Sequence, residues 1–231
     1  MVKKIEQRAA SLEKLRRAAL SLFVSQGYHA TTLEDIAAAA GLTKGAVYFY
    51  FGSKSAVLVD LLGRVQRIVV ERMMEVVERA GPSPTEKLVA FLHNQAMLGV
   101  THRDEVLLLI LMSLELGGRD ADVSERISDI YRRLNQFIAA LIRRGQKAGE
   151  FRDDVPVKEL SAVLMANHDG TFLEWHRRSS ELNGRNLVRA LRSLVLQGVL
   201  RRAAPARPRP RRTARAAGAR PPARVSAARD G

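Results

Sequence analysis

The sequence of 231 residues contains no cysteine, which excludes disulfide bonds and thiolate chemistry. It also lacks a long apolar run. The longest, Val106–Met112, has seven residues, whereas a membrane-spanning helix needs about 20. The N-terminal segment has no apolar core of the kind that secretory signals carry. These absences predict a soluble protein of the reducing cytoplasm that has no membrane contact.

Catalytic constellations are missing as well. No Ser-His-Asp order, phosphate-binding loop or HExxH motif occurs, and the paired acids Asp153 and Asp154 fall in a predicted solvated loop. Strand patterns are almost absent, whereas apolar residues recur at helical spacing along most of the chain. We therefore predict an all-α protein that is not an enzyme and has no cofactor.

The net charge of +14 is distributed unevenly along the chain. Residues 201–231 contain ten arginines, five prolines and a single acid, whereas residues 1–200 carry a net charge of only +5. A segment of such composition buries too little apolar area to offset the entropy of ordering. We expect a disordered Arg/Pro/Ala-rich tail at 201–231. The remaining chain is mildly cationic, so the pI alone is no evidence for DNA binding.

One short region carries the most specific pattern in the sequence. Two short helices, Leu33–Ala40 and Lys44–Tyr50, are predicted on either side of a three-residue turn. Thr32, with an acid three residues later, can cap the first helix, and Gly41 can end it in the left-handed conformation. This is the layout of a helix-turn-helix, whose second helix enters the major groove of DNA.

The second of these helices departs from the rules for a structural helix. Gly45 lies inside it at a cost of about 1 kcal/mol relative to Ala. Lys44 lies in its first turn, where the helix dipole disfavours a cation, and Lys54 has the same position in the following helix. A phosphate anion would relieve both conflicts. The small side chains of Gly45 and Ala46 would allow the backbone to approach DNA closely.

The region resembles the DNA-binding segment of the TetR family of bacterial transcriptional regulators, over about residues 12–62. The matching residues are Thr31-Thr32, Ile36-Ala37, Ala40-Gly41, Thr43-Lys44-Gly45, Tyr48, Tyr50-Phe51 and Lys54. We predict that bases are read by Lys44, Ala46 and Tyr50, while Gly45 lets the backbone of the helix approach the DNA. The phosphates would be held by Thr32, Thr43, Tyr48 and Lys54.

The helical patterns continue beyond this motif and divide the chain. We predict about nine helices: a three-helix DNA-binding head at 1–54 and a helical-bundle body for ligand binding and dimerisation at 55–200. The predicted helix Val157–Arg178 has two apolar faces and therefore needs two packing partners. One partner is the core of its own subunit. The other is a second subunit, in which the same helix and the last predicted helix, with its apolar stripe at 187–198, form the matching pair. This predicts a homodimer through residues 157–200, as the family resemblance also implies.

Six polar residues interrupt the apolar faces of the body: His93, Glu115, Asn135, Asn167, His168 and Thr171. Buried polar groups require partners, so these side chains either pair within the fold or line a cavity for a small-molecule effector. Our ligand-binding hypothesis assigns all six to such a cavity. His93, Glu115 and His168 also have the chemistry of metal ligands, but no close spacing motif supports a metal site.

These features predict a sequence-specific DNA-binding transcriptional regulator, in the form of a repressor that a small molecule releases from its operator. Its partners would be double-stranded operator DNA, an unknown effector and a second copy of the chain. Two alternatives come from other classes. One is a helical-bundle enzyme or ligand carrier with a vestigial head. The other is a nonspecific nucleic-acid binder driven by the arginine-rich tail. An enzyme would gain nothing from Lys54 at a helix N-terminus.

Overall fold

The computed structural model describes residues 2–116 and 120–201 of the chain. The predicted disordered tail therefore lies, except for Arg201, outside the described residues. Within these ranges no helix combines the length and the apolarity that a membrane span requires. The described chain packs as one compact unit that ends at Arg201.

Most of the described residues are helical, and the only bridge between extended segments in these ranges joins Phe151 to Leu200. Six π-helical residues, Gln66–Glu71, connect the helices Lys54–Val65 and Arg72–Glu78 without a break, so the described chain forms nine helical rods. This confirms the predicted all-α fold. The helices are α1 Val2–Gln26, α2 Leu33–Ala40, α3 Lys44–Tyr50, α4 Lys54–Val65, α5 Arg72–Glu78, α6 Pro84–Thr101, α7 Arg103–Glu115, α8 Ala121–Lys147, α9 Val157–Arg177 and α10 Gly184–Val199.

Helix α7 is buried on nearly all sides, as its almost unbroken apolar sequence predicts. Residues 105–110 are all shielded from solvent, and the helix packs against α1, α4, α6, α8 and α9. Its buried Glu105 carboxylate lies 3.7 Å from Arg64 Nε and 3.4 Å from His102 Nδ1. A buried helix with so many neighbours can transmit a displacement from one of them to the others.

Helix α9 has two unlike faces. On one of them Leu160, Leu164 and Phe172 are buried in the core. The other face is exposed to solvent in the single chain and carries small or apolar side chains: Ala162, Val163, Ala166 and Gly170. Small and apolar side chains without a cover in the single chain leave room for another helix, and the second packing partner of α9 stays a prediction.

Ion pairs connect α1, which belongs to the predicted head, to α4. The Arg16 guanidinium binds both carboxylate oxygens of Asp60, at 2.7 and 2.8 Å, and Arg64 reaches Glu13 at 2.7 Å. Because α1 and α4 are packed and paired, the head is not separated from the body by a gap in the structure. The boundary at residue 54 stays a prediction.

Glu78, the last residue of α5, binds two cations from other helices. Its carboxylate lies 2.7 Å from Arg144 and 2.8 Å from Lys87. Hydrogen bonds from Arg144 and then from Lys87 lower the pKa of Glu78 from its ordinary value of 4.5 to about 2. A carboxylate with a lowered pKa stabilises the fold fully above its unfolded pKa, and this stabilisation is lost as the pH falls toward the folded pKa.

We expect Glu78→Gln to lower the melting temperature by roughly 2–4 °C at pH 7, a modest effect because the half-exposed carboxylate is screened by water. The difference from the wild type should shrink as the pH falls from 4.5 toward 2. Thermal melts followed by circular dichroism across this range measure it, with the exposed Glu75→Gln of the same helix as control. A difference that is independent of pH would contradict the assignment.

Candidate DNA-binding surface and effector cavity

Helix α2 is capped at both ends and anchored in the core. Thr32 Oγ1 accepts the amide of Asp35 at 3.1 Å, and the Asp35 carboxylate accepts the amide of Thr32 at 2.9 Å, which completes a capping box. At the other end Gly41 has φ 64°, a left-handed conformation that favours glycine. Ile36 and Ala37 are buried beneath the helix. The result is a rigid support for α3.

Helix α3 is anchored by one fully buried residue, Val47. Thr43 caps it, because its Oγ1 accepts the amide of Ala46 at 3.3 Å. The first turn carries no acidic residue, so its free amides and dipole favour an anion. The outward side is exposed and consists of Lys44, Gly45, Tyr48 and Phe49. A short helix that is held by one buried residue and exposes its other side can lie in a groove of DNA.

The Lys44 ammonium is not free in the isolated chain. It pairs with the Glu34 carboxylate of α2 and lies 5.6 Å from the ring centroid of Tyr48. Hydrogen bonding to Glu34 raises the pKa of Lys44 and lowers the pKa of Glu34. Both side chains are 54% exposed, and ion pairs as exposed as this one contribute little to stability. A phosphate or base acceptor can therefore replace Glu34 at small cost.

Two of the predicted DNA contacts point away from this surface. The Tyr50 hydroxyl donates to the carbonyl of Arg8 at 3.3 Å. Lys54 Nζ donates to the carbonyls of Tyr28 and Thr31 at 2.8 and 2.9 Å and lies 4.3 Å from the Tyr28 ring centroid. Desolvation lowers the pKa of Lys54. The dipole conflict at Lys54 is thus relieved inside the protein, by two carbonyls that sequence spacing could not identify.

Phe49 is a candidate DNA contact that the sequence analysis missed. The residue is 68% exposed, and the Arg8 guanidinium lies 5.7 Å from the ring centroid. The signal was present in the sequence, because Phe49 follows Gly45 by four residues and so lies on the same side of α3. A large exposed aromatic next to a cation is typical of a binding surface.

Glu115, at the end of α7, contacts the segment 27–31, here called the head turn. Its carboxylate accepts the amides of Tyr28 and His29 at 3.0 and 2.9 Å. Gly27 has φ +85°, and a Cβ at this position would lie 3.2 Å from the same carboxylate. Lys54 therefore holds carbonyls of the head turn while Glu115 holds its amides. Glu115 was predicted to line the cavity but instead connects the body to the head.

A cavity of about 820 Å³ lies between α6, α9 and α10, with a mostly aliphatic and aromatic wall. Four of the predicted ligand-binding residues line it, namely His93, Asn167, His168 and Thr171. Asn135 does not. It is exposed on α8, because the buried stripe of that helix passes through the adjacent Leu134. A helical pattern identifies neighbours along one helix, but it does not say which faces of different helices surround a cavity.

The inner wall of the cavity contains two polar side chains that are nearly inaccessible to solvent. His168 and Gln95 are 6% and 5% exposed. His168 Nδ1 lies 2.8 Å from the Asp169 carboxylate, which also accepts the Tyr131 hydroxyl at 3.2 Å. Burial raises the pKa of Tyr131, which keeps the hydroxyl a donor. His168 Nε2 and Gln95 Oε1 are buried without a partner in the described chain.

The structure does not bring the considered metal ligands together. His93 and His168 line the cavity, whereas Glu115 is engaged at the head turn. Over the described residues no cluster of three or more His, Asp or Glu side chains could hold a metal ion.

Two protein-family models match the chain. The model for bacterial regulatory proteins of the tetR family covers residues 15–61, and the model for the C-terminal part of BetI-type transcriptional repressors covers residues 84–200. The second model alone spans half of the chain. This chain belongs to the TetR family of bacterial transcriptional regulators. The predicted family and the predicted role as a DNA-binding regulator are thereby confirmed.

Relatives match along nearly the whole described chain. The crystal structure of the MbdR regulator from Azoarcus sp. CIB is 46% identical and has a TM-score of 0.76, with 81% of this chain and 98% of that one covered. The HTH-type transcriptional repressor BepR of Brucella suis is 26% identical over 72% of this chain and 81% of its own length. The fatty acid metabolism regulator protein of Bacillus subtilis is 20% identical over 84% of this chain and 98% of its own length.

Lys54→Met tests whether this lysine is structural or binds phosphate. We expect it to cost about 1–3 kcal/mol of stability, because two carbonyls lose a charged donor. DNA affinity should fall for all sequences, with an unchanged dependence on salt. Loss of a phosphate contact would instead reduce the salt slope by roughly 1.

The measurements are thermal unfolding and fluorescence anisotropy of labelled DNA at several salt concentrations. Lys44→Met is the matched control, because Lys44 is exposed on the outward side of α3. It should change the relative affinity for different DNA sequences and leave the melting temperature nearly unchanged. If Lys54→Met lowered the salt slope at an unchanged melting temperature, Lys54 would be a phosphate contact.

Proposed function

We propose that this protein is a cytoplasmic repressor that binds operator DNA as a homodimer and leaves it when a small molecule occupies the cavity between α6, α9 and α10. The outward side of α3 is the observation that carries the proposal. Lys44 on this side and the partly exposed Ala46 beside Gly45 would read base edges in the major groove. Thr32, Thr43 and Tyr48 would contact phosphates and fix the position of the helix.

Dimerisation follows from the small size of the head and from the uncovered faces of α9 and α10. One recognition helix reaches only a few bases, so a specific site requires two of them. On α9, Ala162, Ala166 and Gly170 would let a second helix approach closely. Val163 and Leu194 are 55% and 71% exposed in the single chain. Pairing of these faces about a two-fold axis would bury them in a four-helix bundle.

The connection between the cavity and the head runs through α7. At its first residue, Arg103 Nη2 lies 3.2 Å from His176 Nδ1 at the end of α9, next to Trp175 of the cavity wall. At its last residue, Glu115 holds the head turn. A ligand that moved α9 relative to α6 would displace α7 and, with it, the head. The spacing of the two recognition helices would then no longer match the operator.

Selection of DNA from a random pool tests the proposed function. We expect the purified protein to select an inverted repeat whose halves lie about one helical turn or a multiple apart, because a two-fold dimer presents two recognition helices. A chain that ends after Leu200 should select the same repeat, which controls for the arginine-rich tail. Selection of a single unrepeated site, or of no preferred sequence, would contradict the proposal.

Ala166→Arg places a charge in the proposed dimer interface and serves as the variant in this experiment. It should sediment with half of the wild-type mass, keep its helical circular dichroism and bind the selected repeat at least about tenfold more weakly. The exposed Ala148→Arg at the end of α8 is the matched control. A variant of unchanged mass would exclude this face as the interface.

Glu115→Ala tests the connection between the body and the head. Loss of the carboxylate should speed amide hydrogen exchange at Tyr28 and His29. It should also weaken operator binding by about tenfold, or about 1.4 kcal/mol, which lies within the usual range of about 1–3 kcal/mol for coupling between two sites. The dimer should stay intact. The exposed Glu125→Ala of α8 is the control. Unchanged operator affinity in spite of faster hydrogen exchange would show that the head turn does not affect DNA binding.

A further inference from the structure

The charged side chains in the wall of the effector cavity have one sign. Arg185 and Arg192 of α10 line the cavity, and no aspartate or glutamate of the described chain does. The nearby Asp169 is engaged by His168 Nδ1 and the Tyr131 hydroxyl. Both arginines are exposed and therefore lie at the solvent-facing edge of the cavity. Neither forms an ion pair with another described residue, so both guanidinium groups can bind a ligand.

The start of α10 adds to this positive edge. Asn183 caps the helix, its first turn contains no acidic residue, and Asn183, Gly184 and Arg185 all line the cavity. The N-terminus of a helix carries a partial positive charge and free amides, which favour an anion. A cationic ligand would meet two arginines and a helix dipole of the wrong sign, without a carboxylate to neutralise it.

The interior of the cavity favours a different part of a ligand from the part that its charged edge favours. Most of the wall consists of side chains such as Phe172, Trp175 and Leu191, and a volume of about 820 Å³ suits a small molecule with an apolar body. His168 Nε2 and Gln95 Oε1 are the buried exceptions. A pure hydrocarbon would leave these two buried atoms without hydrogen-bond partners, so a ligand with polar groups is favoured.

We infer that the cavity binds an amphipathic anion, with its apolar body between α6, α9 and α10 and its carboxylate or phosphate at Arg185 and Arg192. The inference rests on the proposed function, because it names the chemical class of the effector. Neutral hydrocarbons and amphipathic cations are disfavoured by the same wall. Charge at the edge selects the ligand, and the apolar interior supplies affinity.

Trp175 provides a direct assay of binding, because it is the single tryptophan of the chain and lines the cavity. The full-length protein is titrated with decanoate, decyl phosphate, 1-decanol and decyltrimethylammonium, and Trp175 fluorescence is recorded at low ionic strength. We expect both anions to bind at least about tenfold more tightly than the alcohol or the cation. The difference in affinity between the anions and the other two probes should become smaller with added salt, since salt screens exposed charges. The two anions together show whether a carboxylate or a phosphate is preferred.

The double variant Arg185→Gln/Arg192→Gln should remove the preference for anions and leave the affinity for 1-decanol within about twofold. Arg189→Gln is the matched control, because Arg189 is exposed on the same helix but does not line the cavity. The inference is overturned if the cation binds as tightly as the anions, if the preference survives the double variant, or if none of the four probes changes Trp175 fluorescence.

The fluorescence assay needs no DNA, so it separates this inference from the proposed function. Anions that bind at the cavity without weakening operator binding would support the ligand class and contradict ligand-induced release. Release of the operator by a cation, with no binding of anions at Trp175, would support a ligand-responsive repressor and overturn the anionic class.

Discussion

The head turn at 27–31 depends on two charged side chains from different helices. Lys54 of α4 binds the carbonyls of Tyr28 and Thr31, and Glu115 of α7 binds the amides of Tyr28 and His29. Polar groups of a turn that are partly removed from water need partners of this kind. Because the head turn joins α1 to α2, it sets the orientation of α2 and, through α2, of the recognition helix α3.

Contacts between helices also connect the candidate DNA-binding surface to the candidate effector cavity. Helix α4 is tied to α1 by Arg16 and Asp60, and α7 extends from the end of α9 to the head turn. The cavity and the DNA-binding surface share no residue, yet both are connected to α7. In the proposed function, a change in the packing of α9 would alter the position of the head without any change within α3.

Local signals in the sequence were sufficient for the helix-turn-helix. The limits of α2 and α3 agree with the prediction because Thr32, Gly41 and Thr43 act on backbone groups within a few residues. The same local reasoning did not identify the carbonyl partners of Lys54, since the helix dipole showed that the lysine needed a partner but not which one. It also missed Phe49, although the spacing from Gly45 placed that ring on the outward side of α3.

The sequence by itself determined the all-α class, the recognition motif, the buried character of α7 and the two-faced character of α9. These follow from periodicity and capping, which act over one or two turns of helix. Only the tertiary structure decided the roles of the polar residues in the body. It placed His168 at the cavity, Glu115 at the head turn and Asn135 in solvent. Each of these positions depends on which helices meet and how closely they pack, and the pattern along one helix does not contain that information.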